Sequence, residues 1–287
     1  MRSRGVAYMA LSALGFSTMS VLVKVASKEL PTGEIVLARA VVTLVISYVM
    51  VRRAGVAPLG NQRGRLVLRG LLGFSALSCY YISLVRLPLA DATTLQNTIP
   101  LITAVLAWWL LDEAIGWGAA IAIACGLGGV LLVVHPTGGA ADPAGVAIAL
   151  CAACLSSTAY VTVRKLARTE QPIVIVFYFP LIATPLAIPW AAASWVWPDA
   201  RGWLLLLALG AATQVGQVFL TKGLAIERAG RATSVSYLQI CFAIIWQLAV
   251  FDVWPSTGTL AGAALIIAGT VAVSATGRAA RPPRTPT

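Results

Sequence analysis

The side chains in this sequence that can do chemistry fall at helical spacing inside long apolar runs. Thr93, Gln96, Asn97, Pro100 and Thr103 share one helix face, and Gln214, Gln217 and Thr221 share another. Four large amides are costly to bury dry. Gln96, Asn97, Gln214 and Gln217 together therefore point to a water-accessible cavity, whereas any single Ser or Thr beside them is accounted for by hydrogen bonding between helices. Ser17, Ser20 and Lys24 mark a further stripe, matched later in the chain by Ser157, Tyr160 and Arg164; Thr233, Ser236, Tyr237 and Gln239 form another. Pro100 is incompatible with a helical hydrogen bond to the Gln96 carbonyl, so a kink there frees that oxygen in mid-run, the best single candidate site. Trp246 also lies inside its run, either as core packing or as a platform for a flat ligand.

Arg39 begins six residues inside its run, roughly 9 Å deep at about 1.5 Å per residue. An ionisable group at that depth is a candidate for function, here holding a substrate carboxylate, with snorkelling outward as the alternative. Lys24 and Lys222 lie near run ends and are expected to snorkel. The chemistry these groups offer is binding rather than bond-making. The one histidine, His135, ends a run, no Asp or Glu sits in mid-run, and the five cysteines lie in apolar stretches as small packing residues. Cys151-Ala-Ala-Cys154 lacks both the βαβ setting of a redox pair and the second pair that a zinc site needs. No catalytic residue, metal or cofactor is expected.

The elements that must position these groups are membrane helices. Of 287 residues, 59% are hydrophobic and 11% charged, at a mean hydropathy of +0.86, more apolar sequence than a soluble core absorbs. Ten runs reach the about 20 residues that a bilayer core requires. They lie near 6–26, 33–51, 66–86, 90–111, 115–134, 144–167, 173–195, 203–225, 230–251 and 257–276. The fold class is thus all-α integral membrane. Basic residues, among them Arg2, Arg4, Arg52, Arg53, Arg63, Arg65, Arg69, Lys165 and Arg168, gather on one side, while Lys28, Arg86 and Arg201 alone stand on the other, so both termini are expected in the cytoplasm of a bacterial inner membrane. The net charge of +11 is scattered and forms no basic face with interleaved aromatics, which argues against nucleic acid. Residues 277–287, rich in Arg and Pro, read as a disordered cytoplasmic tail.

Sliding the chain by 140 residues aligns Gly5-Val6-Ala7 with Gly145-Val146-Ala147, Ser17-Thr18 with Ser157-Thr158, Gly70 with Gly210, Ala92-Thr93 with Ala232-Thr233, and Asp112 with Asp252. Residues 1–139 and 140–276 therefore read as two five-helix repeats. Five is odd, so the second copy enters the membrane from the opposite side and the repeats are inverted. That architecture implies transport, with a substrate site near the midplane. The repeats differ in chemistry: Gln214, Gln217 and Thr221 stand where the first copy has Phe74, Leu77 and Tyr81, an amide-rich wall facing an aromatic one. Pro180, Pro185 and Pro189 interrupt span 7 but have no counterparts in span 2, so span 7 is the candidate gate.

The stretch from Tyr81 to Val134 resembles the signature half of EamA-type carriers in the drug/metabolite transporter superfamily, with small residues opening span 4, Pro100 within it, Asp112-Glu113 at its end and a Gly-rich span 5. Lys24 and Arg39 sit where that family often carries basic residues. Ile240 and Val253 replace the proline and an acidic residue in the second copy. Within the superfamily the sequence is most similar to amino-acid exporters of the YddG type. The resemblance implies that spans 1–4 and 6–9 surround the path while 5 and 10 pack outside it. Gly118, Ala122, Gly126, Gly258 and Gly262 then serve close packing, in a monomer, or in a dimer through spans 5 and 10. The expected activity is export of small amphipathic metabolites, amino acids with aromatic or apolar side chains above all, by alternating access and without a proton gradient. A carrier of a sugar, nucleotide or organic cation is the alternative, and a membrane scaffold or receptor a distant one. The expected partners are the substrate and membrane lipids.

Overall fold

The computed structural model describes residues 2–99, 101–102, 106, 124–125, 127–132, 142–226 and 238–276. Every regular element among them is a helix: α1 (Arg2–Ala26), α2 (Thr32–Arg53), α3 (Arg63–Arg86), α4 (Leu89–Gln96), α5 (Pro143–Leu166), α6 (Pro172–Ala192), α7 (Ala200–Ile226), α8 (Leu238–Phe251) and α9 (Thr257–Thr276). Continuous apolar sequence makes these helices, because a backbone surrounded by hydrocarbon must satisfy its own polar groups. Six of them, α1 to α3 and α5 to α7, are long and apolar enough to cross a membrane, and α8 and α9 contribute shorter apolar stretches. Prolines mark the starts: Pro31 precedes α2, Pro88 precedes α4, and Pro143 and Pro172 occupy first turns, where a missing N–H costs nothing. Asp142 caps α5 by accepting from the Ala144 N–H at 3.1 Å.

The first three helices alternate in direction through short connections. Arg86 meets Asp142 at one end of the α3–α5 pair, and Leu66 clusters with Leu166 at the other, so α5 runs antiparallel to α3 and hence to α1. Met9 lies against Gly223 and the Ser12 hydroxyl donates to the Gly216 carbonyl at 2.9 Å, so α7 is antiparallel to α1 as well. The principal packing is between the halves: α1 on α7, α2 on α6, α3 on α5 and α4 on α8.

Two contacts repeat at the 140-residue offset. A side chain at Gly70 would collide with Ile182, 2.7 Å from its Cβ, and one at Gly210 would collide with Val42 at 2.5 Å. Both glycines let α3 and α7 close on the helix opposite, α6 in one case and α2 in the other. Residues 127–132, the described end of span 5, pack on α9, where a Cβ on Gly129 would stand 2.7 Å from the Gly262 carbonyl oxygen. Gly129 of span 5 and Gly262 of α9 thus meet within one chain, while Gly118, Ala122 and Gly126 lie outside the described residues.

α6 is assigned as one helix through its three prolines; Pro180 is buried and Pro185 and Pro189 are exposed. α4 stops at Gln96, and Asn97 and Thr98 form a turn before helix resumes at Ile99. Asn97 holds the break with its own side chain, donating from Nδ2 to the Thr93 carbonyl at 2.8 Å, and the Thr98 hydroxyl donates to the Leu95 carbonyl at 2.8 Å. Pro100 lies outside the described residues, and so does Tyr237.

Candidate functional site

A cavity of about 130 Å³ opens at the break in α4. Its wall takes Ser12, Phe16 and Met19 from α1, Arg39 from α2, and Arg69, Gly73, Ala76, Leu77 and Tyr80 from α3. Gln96, Asn97 and Ile99 close it at the α4 break, Ser156 and Tyr160 come from α5, Phe179 from α6, Gln217 and Leu220 from α7, and Gln239 from α8. The two halves contribute in register. Phe16 and Ser156, Met19 and Ala159, Arg39 and Phe179, Leu77 and Gln217, Tyr80 and Leu220, and Ile99 and Gln239 are each 140 residues apart, and all twelve line the cavity. The site therefore lies between the halves and is built from matched positions of both.

Its electrostatics are set by two arginines. Arg39 is 3% exposed and Arg69 4% exposed. Arg39 donates through Nε to the Thr213 hydroxyl at 3.2 Å, while its Nη1 has no partner. Arg69 leaves both Nε and Nη1 without partners. The guanidinium carbons stand 5.1 Å and 5.3 Å from the centroid of the Phe179 ring, and Arg39 also lies 5.7 Å from that of Tyr81. Two cations so placed are within about 10 Å of each other and repel by at least about 1.7 kcal/mol at an effective dielectric constant of about 20. No carboxylate lines the cavity or pairs with either arginine among the described residues. Gly73 makes the arrangement sterically feasible, because a Cβ there would meet the Phe179 ring at 2.6 Å and overlap the Arg69 guanidinium. Gln96 donates to the Ser156 hydroxyl at 3.0 Å and keeps its Oε1 unpartnered.

Of the residues expected from sequence, Arg39, Gln96, Asn97, Gln217 and Gln239 reach the cavity. Six do not. Phe74 packs into the main apolar cluster, and Tyr81, fully buried, backs Arg39 instead of facing the cavity. Ser17 is buried without a partner. Ser157 is spent on the carbonyls of Ile99 at 3.0 Å and Ala153 at 2.8 Å, and Gln214 on the Ser47 hydroxyl at 2.9 Å. Trp246 packs against the apolar cluster. Arg39 does not snorkel, and Lys24 turns inward to donate to the carbonyls of Leu84 at 2.8 Å and Leu87 at 2.6 Å. Arg69, counted among the cytoplasmic basic residues, lies in the cavity instead. It sits three residues inside its run with Gly73 one turn on, a pairing that the sequence does display.

The Lys24 end of the bundle is closed by contacts between the halves. Gln247, buried on α8, accepts from the Ala90 N–H at 2.8 Å and so caps α4, whose own N-cap Pro88 supplies no side-chain bond; Asp91 accepts from the Thr259 hydroxyl. At the opposite end Glu170 accepts from the N–H groups of Asn61 at 2.6 Å and Gln62 at 2.5 Å. Neither Gln247 nor Glu170 was anticipated, since an amide late in a span and an acid in a loop carry no distinguishing pattern.

A cavity between two sequence-related halves, mostly apolar but holding two arginines, belongs with the comparison to known proteins. Residues 3–135 and 143–275 each match the EamA-like transporter family. The chain belongs to that family. This EamA-like transporter is 33% identical over 277 residues to the pseudopaline exporter CntI of Pseudomonas aeruginosa, across 95% of this chain and 96% of the relative. It is 30% identical to solute carrier family 35 member G1 of Mus musculus, across 93% and 77%, and 25% identical to the S-adenosylmethionine uptake transporter of Rickettsia conorii, across 93% and 91%. A solved crystal structure at 22% identity superposes with a TM-score of 0.71 over 97% of this chain and 99% of that one, a likeness of fold. The chain is a membrane transporter.

Proposed function

We propose that this transporter exports a small amphipathic carboxylic acid by alternating access around the central cavity, amino acids with apolar or aromatic side chains being the simplest members of that class. The working architecture is ten spans in two inverted repeats, residues 1–139 and 140–276, in a bacterial inner membrane with both termini and the 277–287 tail in the cytoplasm. The observation that carries the reading is the set of six cavity-lining pairs at one offset, since a site on the axis relating two halves is exposed to each side in turn when the halves rock. α6, with Pro180, Pro185 and Pro189, is the segment best suited to bend in that motion. The named export of pseudopaline by a relative favours the outward direction. An organic-cation substrate is disfavoured, because among the described residues the wall offers two arginines and no carboxylate.

The test is counterflow of labelled phenylalanine, leucine and glutamate in proteoliposomes with equal pH on both sides. The expected result is protein-dependent flux of at least one of them, reduced by Gln96→Ala while insertion into the membrane is unchanged. Flux no greater than in protein-free vesicles for all three, or Gln96→Ala moving substrate at the wild-type rate, would sink the proposal.

A further inference from the structure

A buried guanidinium is tolerated in a membrane bundle when its charge and its N–H donors are answered. Here they are not. Arg39 gives one donor to Thr213 and leaves Nη1 unpartnered, and Arg69 leaves Nε and Nη1 unpartnered, all three nitrogens being buried. Both guanidiniums contact the same ring, Phe179, so they act on one small volume. The polar groups around them, Gln96, Asn97 and Gln217, are neutral. A simple amino acid would answer one arginine with its carboxylate but bring an ammonium into a cavity where no described residue supplies an anion to receive it.

The geometry points to a dicarboxylate as the preferred cargo: a small molecule with two carboxylates, one for Arg39 and one for Arg69, whose apolar part lies against Phe16, Met19 and Leu77. This inference rests on the cavity being the transport site and adds the charge of what it carries. Each arginine–carboxylate contact is a charge-assisted hydrogen bond made away from water, the stronger kind. Discrimination between a dicarboxylate and its monocarboxylate analogue is then expected at about tenfold or more.

The experiment compares phenylsuccinate, 3-phenylpropionate and phenyl phosphate as ligands of the purified full-length protein, read by intrinsic tryptophan fluorescence. The three share an aromatic ring; the first two differ by one carboxylate, and the third is a dianion of different geometry. In the wild type phenylsuccinate should bind at least about tenfold more tightly than 3-phenylpropionate and more tightly than phenyl phosphate. In Arg69→Gln the preference for the second carboxylate should collapse to about threefold or less, and Arg69→Lys should restore part of it. Equal wild-type affinity for phenylsuccinate and 3-phenylpropionate overturns the inference whether or not any variant folds, and so does a preference for phenyl phosphate or an unchanged ratio in folded Arg69→Gln. Amino-acid flux without a dicarboxylate preference would leave the proposed function standing and remove this inference; absence of all flux and all binding would remove both.

Discussion

The two halves of the cavity agree in position and disagree in chemistry. Arg39 in the first half stands opposite its own counterpart, Phe179, and touches it. The residue that accepts from Arg39 is Thr213, whose counterpart is Gly73, and Gly73 is where Phe179 packs. One geometric relation therefore serves as a cation–hydroxyl bond in one half and as a ring against a glycine in the other. At the matched positions Phe16 and Ser156, Leu77 and Gln217, Tyr80 and Leu220, and Ile99 and Gln239, a less polar residue in one half corresponds to a more polar one in the other, while Met19 and Ala159 are both apolar. Symmetric packing places the site between matched positions of the two halves. On the proposed function, asymmetric chemistry holds a carboxylate substrate in one orientation, with its charged part toward Arg39 and Arg69.

The largest effect should come from moving the charge across that axis. Arg39→Phe removes one cation and should lower carboxylate flux by about 10- to 100-fold, the worth of a charge-assisted hydrogen bond made in a dry site. Adding Phe179→Arg to that variant puts a guanidinium back at the matching position, and flux should recover by at least about threefold, short of wild type because Gly73 offers no hydroxyl in place of Thr213. Initial rates in proteoliposomes measure both. A double variant no better than Arg39→Phe alone would mean that the halves are not interchangeable at this level.

Among the described residues the helices were largely legible in the sequence, while the phase of their faces was not. Span 2, read as 33–51, is helix Thr32–Arg53, and span 6, read as 144–167, is Pro143–Leu166, because apolar runs end at prolines and charges that fix the boundary physically. Two site residues were displaced by one position: Ser156 faces the cavity and not Ser157, Tyr80 and not Tyr81. Neighbouring residues on a helix point about 100° apart, and both members of each pair are polar, so only the helix packed opposite decides which one faces inward. Arg69 was hidden by the topology signal itself. A basic residue close to two other arginines at a span start looks like part of the cytoplasmic flank, and what distinguishes it is the space left by Gly73.

Packing should prove more symmetric than chemistry. Gly70→Ala and Gly210→Ala each drive a methyl group into a β-branched residue on the helix opposite, Ile182 in one case and Val42 in the other. Overpacking of this kind costs about 1–3 kcal/mol, and the two variants should lose stability by similar amounts. Thermal unfolding in detergent compares them directly. A loss confined to one variant would show that the shared offset of these glycines does not reflect equivalent contacts.

The smallest expected effect concerns a tie that has no equivalent. Arg86 meets Asp142 at 3.0 Å, joining the end of α3 to the start of α5, whereas the matching positions are Ile226 and Arg2 and offer no acid. The hydrogen bond from Arg86, helped by the Ala144 and Gly145 N–H groups, holds the Asp142 carboxyl below the usual carboxylate range. Its folded value thus lies under its unfolded one. The stabilisation is complete above the unfolded value, near 3.9, and is lost as pH falls through the folded one. Asp142→Asn keeps a side-chain acceptor for the cap and removes the charge. The wild type should therefore melt slightly above Asp142→Asn at pH 6, by a margin that shrinks in high salt because the pair is exposed, and that vanishes once the pH is low enough to protonate Asp142. A margin that persisted in acid would assign the stabilisation to the cap geometry and not to the ion pair.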